Sequence, residues 1–485
     1  MSVELQDLLL SYFISTGVYW LAVLTCVVCV GLQLILLCLR LWMSRLETIP
    51  SRPSINFKQP TYSVHLAIHN EPPAVVINTL RALAAQDWPA SQYEVIVIDN
   101  NTVDPLLWQP VAATCTELGS QFRFYHRMGV IGAKAGALNI ALLETRQDAS
   151  HIVTVDADYV TDPQFLMHAA AALRDTGADY VQFPQAYVGC DRVGAGVDAE
   201  LEEYFRTNAQ MADVAEAVLL TGTLCVISAP ALRAAGGWSG HTITEDADMG
   251  VRLCQMGFSG RFIGKIVGRG VLPFSLIDLE RQRHRWASGN LQTLIAHAPS
   301  ILSVRGRMGW RRRGAILSQL TAWLNLSLLP VAVLLGVLMT EQGGDLLVDI
   351  AAASVCLTFA DIVGRLAWRG RHDASHPAVV AAAICNRVAL APVSACATLA
   401  VLLGRPLTFS VTDKSGISRG RGTRMPLGSF ILFIASAIVL PAAIDTSWLA
   451  MLAVLTLLTP FPAAIATART LDRYRLHVAP SLTGV

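Results

Sequence analysis

No Asp, Glu, Lys or Arg interrupts the chain from Leu8 to Leu39, a run longer than the ~20 apolar residues that cross a bilayer. A secretory signal peptide would be shorter and would start with basic residues, whereas Glu4 and Asp7 stand in front of this run. It reads as a membrane span over about 18–43. Arg40, Arg45 and Arg52 follow, and positive charge on that side places the next segment in the cytoplasm. From 61 to about 300 the pattern changes. "YSVHLAI" (62–68), "YEVIVID" (93–99), "FRFYH" (122–126) and "HIVTVD" (151–156) are short apolar runs that read as buried strands. Between them, "VVINTLRALAAQ" (75–86) and "AGALNIALLETR" (135–146) carry helical spacing. Strands alternating with helices predict an α/β domain with a mostly parallel sheet. Ligands of such sheets sit beyond the carboxyl ends of the strands.

After "RGRMGWRRR" (305–313) apolar runs resume at about 316–340, 346–367, 377–403, 428–444 and 447–468. If all five crossed, the Arg-rich "SRGRGTR" (418–424) would lie outside, against the positive-inside tendency. Laying 377–403 along the inner interface puts the basic loops 305–313, 365–371, 418–424 and 469–475 on one side. "EQGGD" (341–345) and Asp445 then fall on the other. Asn386, Arg387 and Pro392 in mid-run also disfavour a simple span. The expected arrangement is five spans and one interfacial segment. Its parts are 1–52 (first span), 53–300 (cytosolic domain), 301–403 (interfacial helix, two spans, interfacial segment), 404–425 (cytosolic loop), 426–470 (two spans) and 471–485 (cytosolic tail).

Composition agrees: 53% of residues are hydrophobic and 15% charged, against about 25% charged in soluble domains. A net charge of +1 gives no reason to expect nucleic-acid binding. The ten cysteines are scattered, and the C-x-x-C of Cys26 and Cys29 lies inside the first apolar run, where packing suffices to explain it.

Chemistry concentrates at the strand ends. Asp156 and Asp158 close "HIVTVDADYV", and burying an unpaired carboxylate is costly. Alternate residues at a strand end can address one cation, and Mg2+ binds through one or two carboxylates plus substrate phosphates. An Asp-rich turn is the plain alternative, so the neighbours decide. "AIHNEPP" leaves Glu71 at one other strand end before a helix, and "VIDNNT" puts Asp99 at another, where an acceptor-only side chain can receive hydrogen bonds from a base or ribose. Lys134 lies at the glycine-bearing helix start "GAKAGALN", suited to diphosphate. In "TITEDADMGVRLCQMG" (242–257) Thr244, Glu245 and Asp246 open a helix with Met249, Leu253 and Met256 on its apolar face. Acids there favour the helix dipole, and beside a metal–diphosphate site Asp246 becomes a candidate general base. "RQRHRWASGNLQ" (281–292) supplies Gln282, Arg285 and Trp286: an Arg for diphosphate and an indole for a sugar ring. A basic helix on the membrane surface reads the same way.

In order, Asp99, D-A-D at 156–158, T-E-D at 244–246 and Q-R-H-R-W at 282–286 resemble the signature of processive family-2 glycosyltransferases, the membrane synthases of cellulose, related β-glucans, chitin and hyaluronan. "FSVTDK" (409–414) resembles the F-x-V-T-x-K gating loop of bacterial cellulose synthase. The resemblance implies a GT-A-type, Rossmann-like α/β cytosolic domain inserted in an α-helical transmembrane bundle in the inner (plasma) membrane. It implies a UDP-sugar donor, a growing polysaccharide acceptor, lipid contact and Mg2+ or Mn2+; an export partner beyond the membrane is left open. Glu71 and Asp99 would hold the uridine, Lys134, Gln282 and Arg285 the diphosphate, and Asp158 with Asp156 the metal. Asp246, with Glu245, would be catalytic. Trp286 would carry the terminal sugar, with Thr221, Gly222 and Thr223 beside it, and Phe409, Val411, Thr412 and Lys414 would close over the nucleotide. Where His69, Asn100 and Tyr159 stand, the family often has Tyr, Asp and His, so base and sugar contacts are expected to differ from those of cellulose synthase. "IDNNTVDPLLWQP" looks closer to synthases of other β-glucans. No cyclic-dinucleotide-binding domain is expected after the last span. A transferase adding a single sugar to a lipid would share D-x-D and the base without needing Q-x-x-R-W. A transporter or scaffold with a dead sugar-binding domain would be expected to lack Asp158 or Asp246.

Overall fold

The computed structural model describes residues 3–47, 53–54, 57–190, 193–303, 308–340, 344–372, 375–405 and 425–483. The soluble domain is built on β1 (Tyr62–Ile68), β2 (Tyr93–Asn100), β3 (Phe122–Arg127), β4 (His151–Thr154), β6 (Tyr180–Gln182), β7 (Cys225–Ser228) and β8 (Gly260–Phe262), which form one seven-stranded sheet. Its order is β3-β2-β1-β4-β7-β6-β8. Strands β1 to β4 pair in parallel, β7 is antiparallel to both neighbours, and β8 is parallel to β6. A separate antiparallel ribbon joins β5 (Val160–Thr161) to β9 (Gly268–Arg269). Helices α2 (Pro73–Ala84), α3 (Pro105–Leu118), α4 (Ala133–Glu144) and α5 (Phe165–Thr176) connect the strands up to β6. They follow the long N-terminal helix α1 (Val3–Met43).

Side chains on successive strand positions point to opposite faces, and both faces of this sheet are covered. Val95 and Val97 of β2 pack with Val76 and Leu80 of α2 on one side, while Ile96 and Ile98 pack with Ala137 and Ala141 of α4 on the other. Burial on both faces is why β2 reads as a continuous apolar run. Strand β4 ends at Thr154, two residues earlier than "HIVTVD" suggests, so Asp156 and Asp158 occupy the turn beyond the ladder.

Between β6 and β7 lie α6 (Ala195–Tyr204), a π-helical turn at Phe205–Ala209 and α7 (Gln210–Asp213); α8 (Ala229–Ala234) and α9 (Glu245–Gln255) precede β8. On α9, Met249 and Leu253 are buried as expected, but Met256 lies past the helix end and is exposed. Then follow α10 (Leu276–Leu302), α11 (Trp310–Leu320), α12 (Leu328–Thr340), α13 (Gly344–His372), α14 (Pro377–Leu402), α15 (Leu427–Thr446), α16 (Trp448–Leu457) and α17 (Pro460–Thr483).

Among the described residues five helical stretches are long and apolar enough to cross a membrane: Thr16–Met43, Gly344–Trp368, Pro377–Leu402, Leu427–Thr446 and Trp448–Ala479. The set differs from the expected one. The 316–340 run breaks at 321–327, leaving α12 with 13 residues, about 20 Å of helix against a hydrocarbon core of about 30 Å. Pro377–Leu402 does qualify by length and composition, yet its middle is bound to the soluble domain. Buried Arg387 pairs with Glu200 and, at 3.0 Å, Glu203 of α6, and Asn386 donates to Glu200. Of the tail expected at 471–485, the described residues, up to Thr483, belong to α17. Leu471, Tyr474 and Val478 recur at helical spacing and are buried. Tyr474 Oη donates to Val188 O (2.9 Å) and accepts from Leu272 N (3.3 Å), tying the helix to the soluble domain. Phe409, Val411, Thr412 and Lys414 lie outside the described residues.

Candidate active site

The ends of β1 and β2 are knitted together by their own side chains. Asn70 and Asn101 adopt left-handed backbone conformations (φ 57° and 61°), which Asn tolerates better than most residues. His69 Nδ1 donates to Asn100 O (2.6 Å), and Asn70 N donates to Thr102 Oγ1 (3.0 Å). Glu71 accepts from the backbone N of His69. The Asp99 carboxylate is 1% exposed, and both its oxygens are engaged within the protein: Thr102 Oγ1 donates at 2.5 Å and His126 Nδ1 at 2.6 Å. His126 stacks on Trp108 (centroids 4.4 Å apart). Asp99 therefore fixes the ring that faces outward at this strand end. Neither His126 nor Trp108 stands out in the sequence; only the strand pairing Asp99↔His126 reveals the first.

Beyond β4, Lys134 bridges three elements. Its Nζ donates to Asp156 Oδ1 (2.5 Å) and Gly222 O (3.0 Å) and lies 3.6 Å from Glu245 Oε1. Burial favours loss of its proton, but Asp156 and Glu245 outweigh that and hold its pKa above the ordinary value. Asp158 is buried and accepts from Val271 N (3.1 Å). Thr223 Oγ1 accepts from Asp156 N (3.0 Å). Among the described residues no group of three or more His, Cys, Asp or Glu gathers as a complete metal cage. Two aspartates lining a cleft instead suit a hard, oxygen-liganded cation that draws its other ligands from phosphates. The donor set fits Mg2+ or Mn2+.

Asp246 opens α9 and accepts from Ala247 N (2.8 Å). Burial, then the neighbouring Glu245 charge, raises its pKa to about 7, while Lys134 and Arg285 pull it down. Helix α10 approaches through Gly289, where a Cβ would meet Thr244 Cγ2 at 2.5 Å. That close packing sets Gln282, Arg285 and Trp286 opposite Asp246. One cleft is lined by Lys134, Asp156, Asp158, Asp246, Gln282, Arg285 and Trp286 together with Thr221 and Gly222. Three of the four motifs, at 156–158, 244–246 and 282–286, thus meet in one place. Thr223 is fully buried beneath it, and Glu71 and Asp99 are not among the cleft's lining residues.

A second cavity adjoins the first at Asp246, Thr221 and Trp286. It is lined by Tyr204, Phe205 and Trp323, with Trp323 stacked on Tyr204 (4.9 Å, 17°) and 5.7 Å from Trp286. Trp323 is itself buried, with Tyr204 stacked on its ring and the guanidiniums of Arg283 and Arg387 also over it (4.0 and 4.8 Å to the centroid), so it supports Trp286 from behind. Trp323 was not foreseen, since it sits in what reads as a membrane run.

The model described as glycosyl transferase family 2 matches residues 63–234, and that of glycosyl transferase family group 2 matches 151–364. The chain is 29% identical over 273 residues to a cellulose synthase catalytic subunit (UDP-forming) of Xanthomonas axonopodis pv. citri, covering 55% of this chain and 36% of that one. It is 27% identical over 244 residues to glucomannan 4-beta-mannosyltransferase 2 of Arabidopsis thaliana, covering 49% and 45%. The match therefore spans less than half the length of these relatives. In fold, the chain is similar to the mannosyltransferase PcManGT from Pyrobaculum calidifontis, solved with GDP-Man and Mn2+ (TM-score 0.55, 16% identity, 79% of this chain and all of that one). With its mixed Rossmann-like sheet of the GT-A type, this chain carries a family-2 glycosyltransferase domain.

Proposed function

We propose that the chain is a membrane-embedded, processive, inverting glycosyltransferase that polymerises a UDP-sugar, UDP-glucose before others, into a β-glucan and exports it. One observation carries this reading: the Asp246 carboxylate stands where the acidic cleft and the aromatic cavity meet. A donor sugar in the first and an acceptor sugar in the second would bring the acceptor hydroxyl to Asp246. Asp246 takes that proton, the oxygen attacks the anomeric carbon in line, and the nucleoside diphosphate leaves from the opposite face. The charge on the sugar in flight resembles that in glycoside hydrolysis. Arg285 and Lys134 receive the charge of the leaving diphosphate. Asp158, with Asp156, would hold Mg2+ or Mn2+, which when bound supplies further neutralisation of that diphosphate. Trp286 holds the acceptor ring, with Thr221 and Gly222 at the junction and Trp323 packed behind it.

The relatives named glucomannan mannosyltransferases favour a mannosyl donor as a second reading of substrate. We place the catalytic domain on the cytoplasmic side of the inner membrane, with α14 at that interface, because Arg387 in its middle is held by α6. The test is incorporation of radiolabelled sugar by the full chain in vesicles from individual UDP- and GDP-sugars. Products are sized on a gel and digested with linkage-specific glucanases. Long polymer supports the reading; a single added sugar replaces it with a non-processive transferase. Normal synthesis by Asp246→Asn would remove the assigned base.

A further inference from the structure

Three side-chain oxygens around the cleft, Tyr159 Oη, Thr221 Oγ1 and Gln282 Oε1, are buried without a hydrogen-bond partner among the described residues. Leaving a buried polar atom unpaired is unfavourable, and in a folded protein such an atom calls for an occupant. Tyr159 is the most enclosed of the three. Its side chain belongs to a residue only 3% exposed, and its ring lies against the backbone at Gly270, where a Cβ would meet the ring at 2.4 Å. The phenol therefore stays beside Asp158, in the wall that also holds Gln185 and Tyr187.

We propose that the Tyr159 hydroxyl hydrogen-bonds a hydroxyl of the donor's transferable hexosyl group and so sets the choice among nucleotide sugars. The inference rests on the reading that the acidic cleft takes the donor. The donor, rather than the acceptor, is indicated by position. Tyr159 and Tyr187 line only the cleft that contains Asp156 and Asp158, whereas the aromatic cavity shares Gln185, Thr221, Asp246 and Trp286 but neither tyrosine. A site built to pair a substrate hydroxyl rejects an analogue that lacks it far more strongly than an apolar wall rejects a change of shape.

The test uses the full chain in detergent, Tyr159→Phe, and whichever of UDP-glucose and GDP-mannose the wild-type chain uses. Phenylalanine keeps the ring packing, and melting temperature checks the fold. The variant is expected to lose roughly 10- to 100-fold in kcat/KM for the sugar nucleotide, while inhibition by free UDP or GDP stays unchanged. Among deoxy derivatives of that donor, the wild type is expected to reject one by a similar factor, and the variant to accept it as readily as the parent sugar. Equal weakening of the free nucleotide, or a variant that keeps every wild-type preference, overturns the assignment while leaving the proposed function standing. A wild-type chain that transfers no sugar from any nucleotide overturns both.

Discussion

Between pH 8 and pH 6 the enzyme is expected to lose most of its activity through one carboxyl group. Burial and the Glu245 charge lift Asp246 to a pKa of about 7. A base with that pKa is about nine-tenths ionised at pH 8, half at pH 7 and about one-tenth at pH 6. Because kcat/KM follows ionisations of the free enzyme, its acidic limb should be centred near 7 and fall tenfold per pH unit below it. The neighbours make the assignment specific. Lys134 lowers the Asp246 pKa and Glu245 raises it. Whatever each substitution does to the maximal rate, Lys134→Met should therefore move the limb to higher pH and Glu245→Gln to lower pH. The assay is initial sugar incorporation at subsaturating donor, from pH 5.5 to 9 at constant ionic strength and fixed Mn2+. A wild-type limb centred near the ordinary Asp value, or shifts of the same sign in the two variants, would refute the reasoning.

Gly222 has φ +81°, and a Cβ there would lie 2.9 Å from Asp246 Oδ2 and 3.2 Å from Lys134 Nζ. Gly222→Ala combines backbone strain of about 1–2 kcal/mol with displacement of both groups, and is expected to lower kcat by ~100-fold, measured by initial rates on protein with a near-normal melting curve. Glu200 accepts from Arg283 at 2.7 and 3.0 Å and also pairs with Arg387. Burial raises its pKa, yet the two guanidiniums overcome this and lower it to about 2. Glu200→Ala leaves two cations without their shared partner and is expected to destabilise the chain by about 3–5 kcal/mol, seen as a lower midpoint in detergent denaturation. Chelation with EDTA is expected to abolish sugar transfer, and added Mn2+ or Mg2+ to restore it; full activity in excess chelator would remove the metal from the reading. Trp286→Ala should raise the acceptor requirement and shorten the product on a gel while leaving UDP inhibition unchanged.

The soluble domain was largely legible because its signals are local. Apolar runs of four to eight residues gave β1 and β2 almost to the residue. Asp156, Asp158, Asp246, Gln282, Arg285 and Trp286 could be named because each stands in a short motif, and they do line one cleft. What escaped depends on contacts across the chain. Asp99 looks in sequence like an open acceptor, and only pairing with β3 shows His126 taking one of its oxygens. Trp323 is one more aromatic in an apolar stretch until Tyr204, more than a hundred residues earlier, stacks on it. The membrane helices were hardest. Hydropathy measures how apolar a run is, and it reveals neither the break at 321–327 nor Glu200 waiting for Arg387.

Tyr474 gives the final helix a part in the chemistry at a distance. Its hydroxyl holds Leu272 and Val188, and the residue before Leu272 donates its N–H to Asp158. If a cation or nucleotide held at Asp158 stiffens Val271, the contacts of Leu272 and Val188 with Tyr474 would pass that to the docking of α17, and any such coupling is mutual. Protease resistance of the segment after 470 should therefore rise with donor occupancy, making the end of this helix a built-in gauge of how full the cleft is.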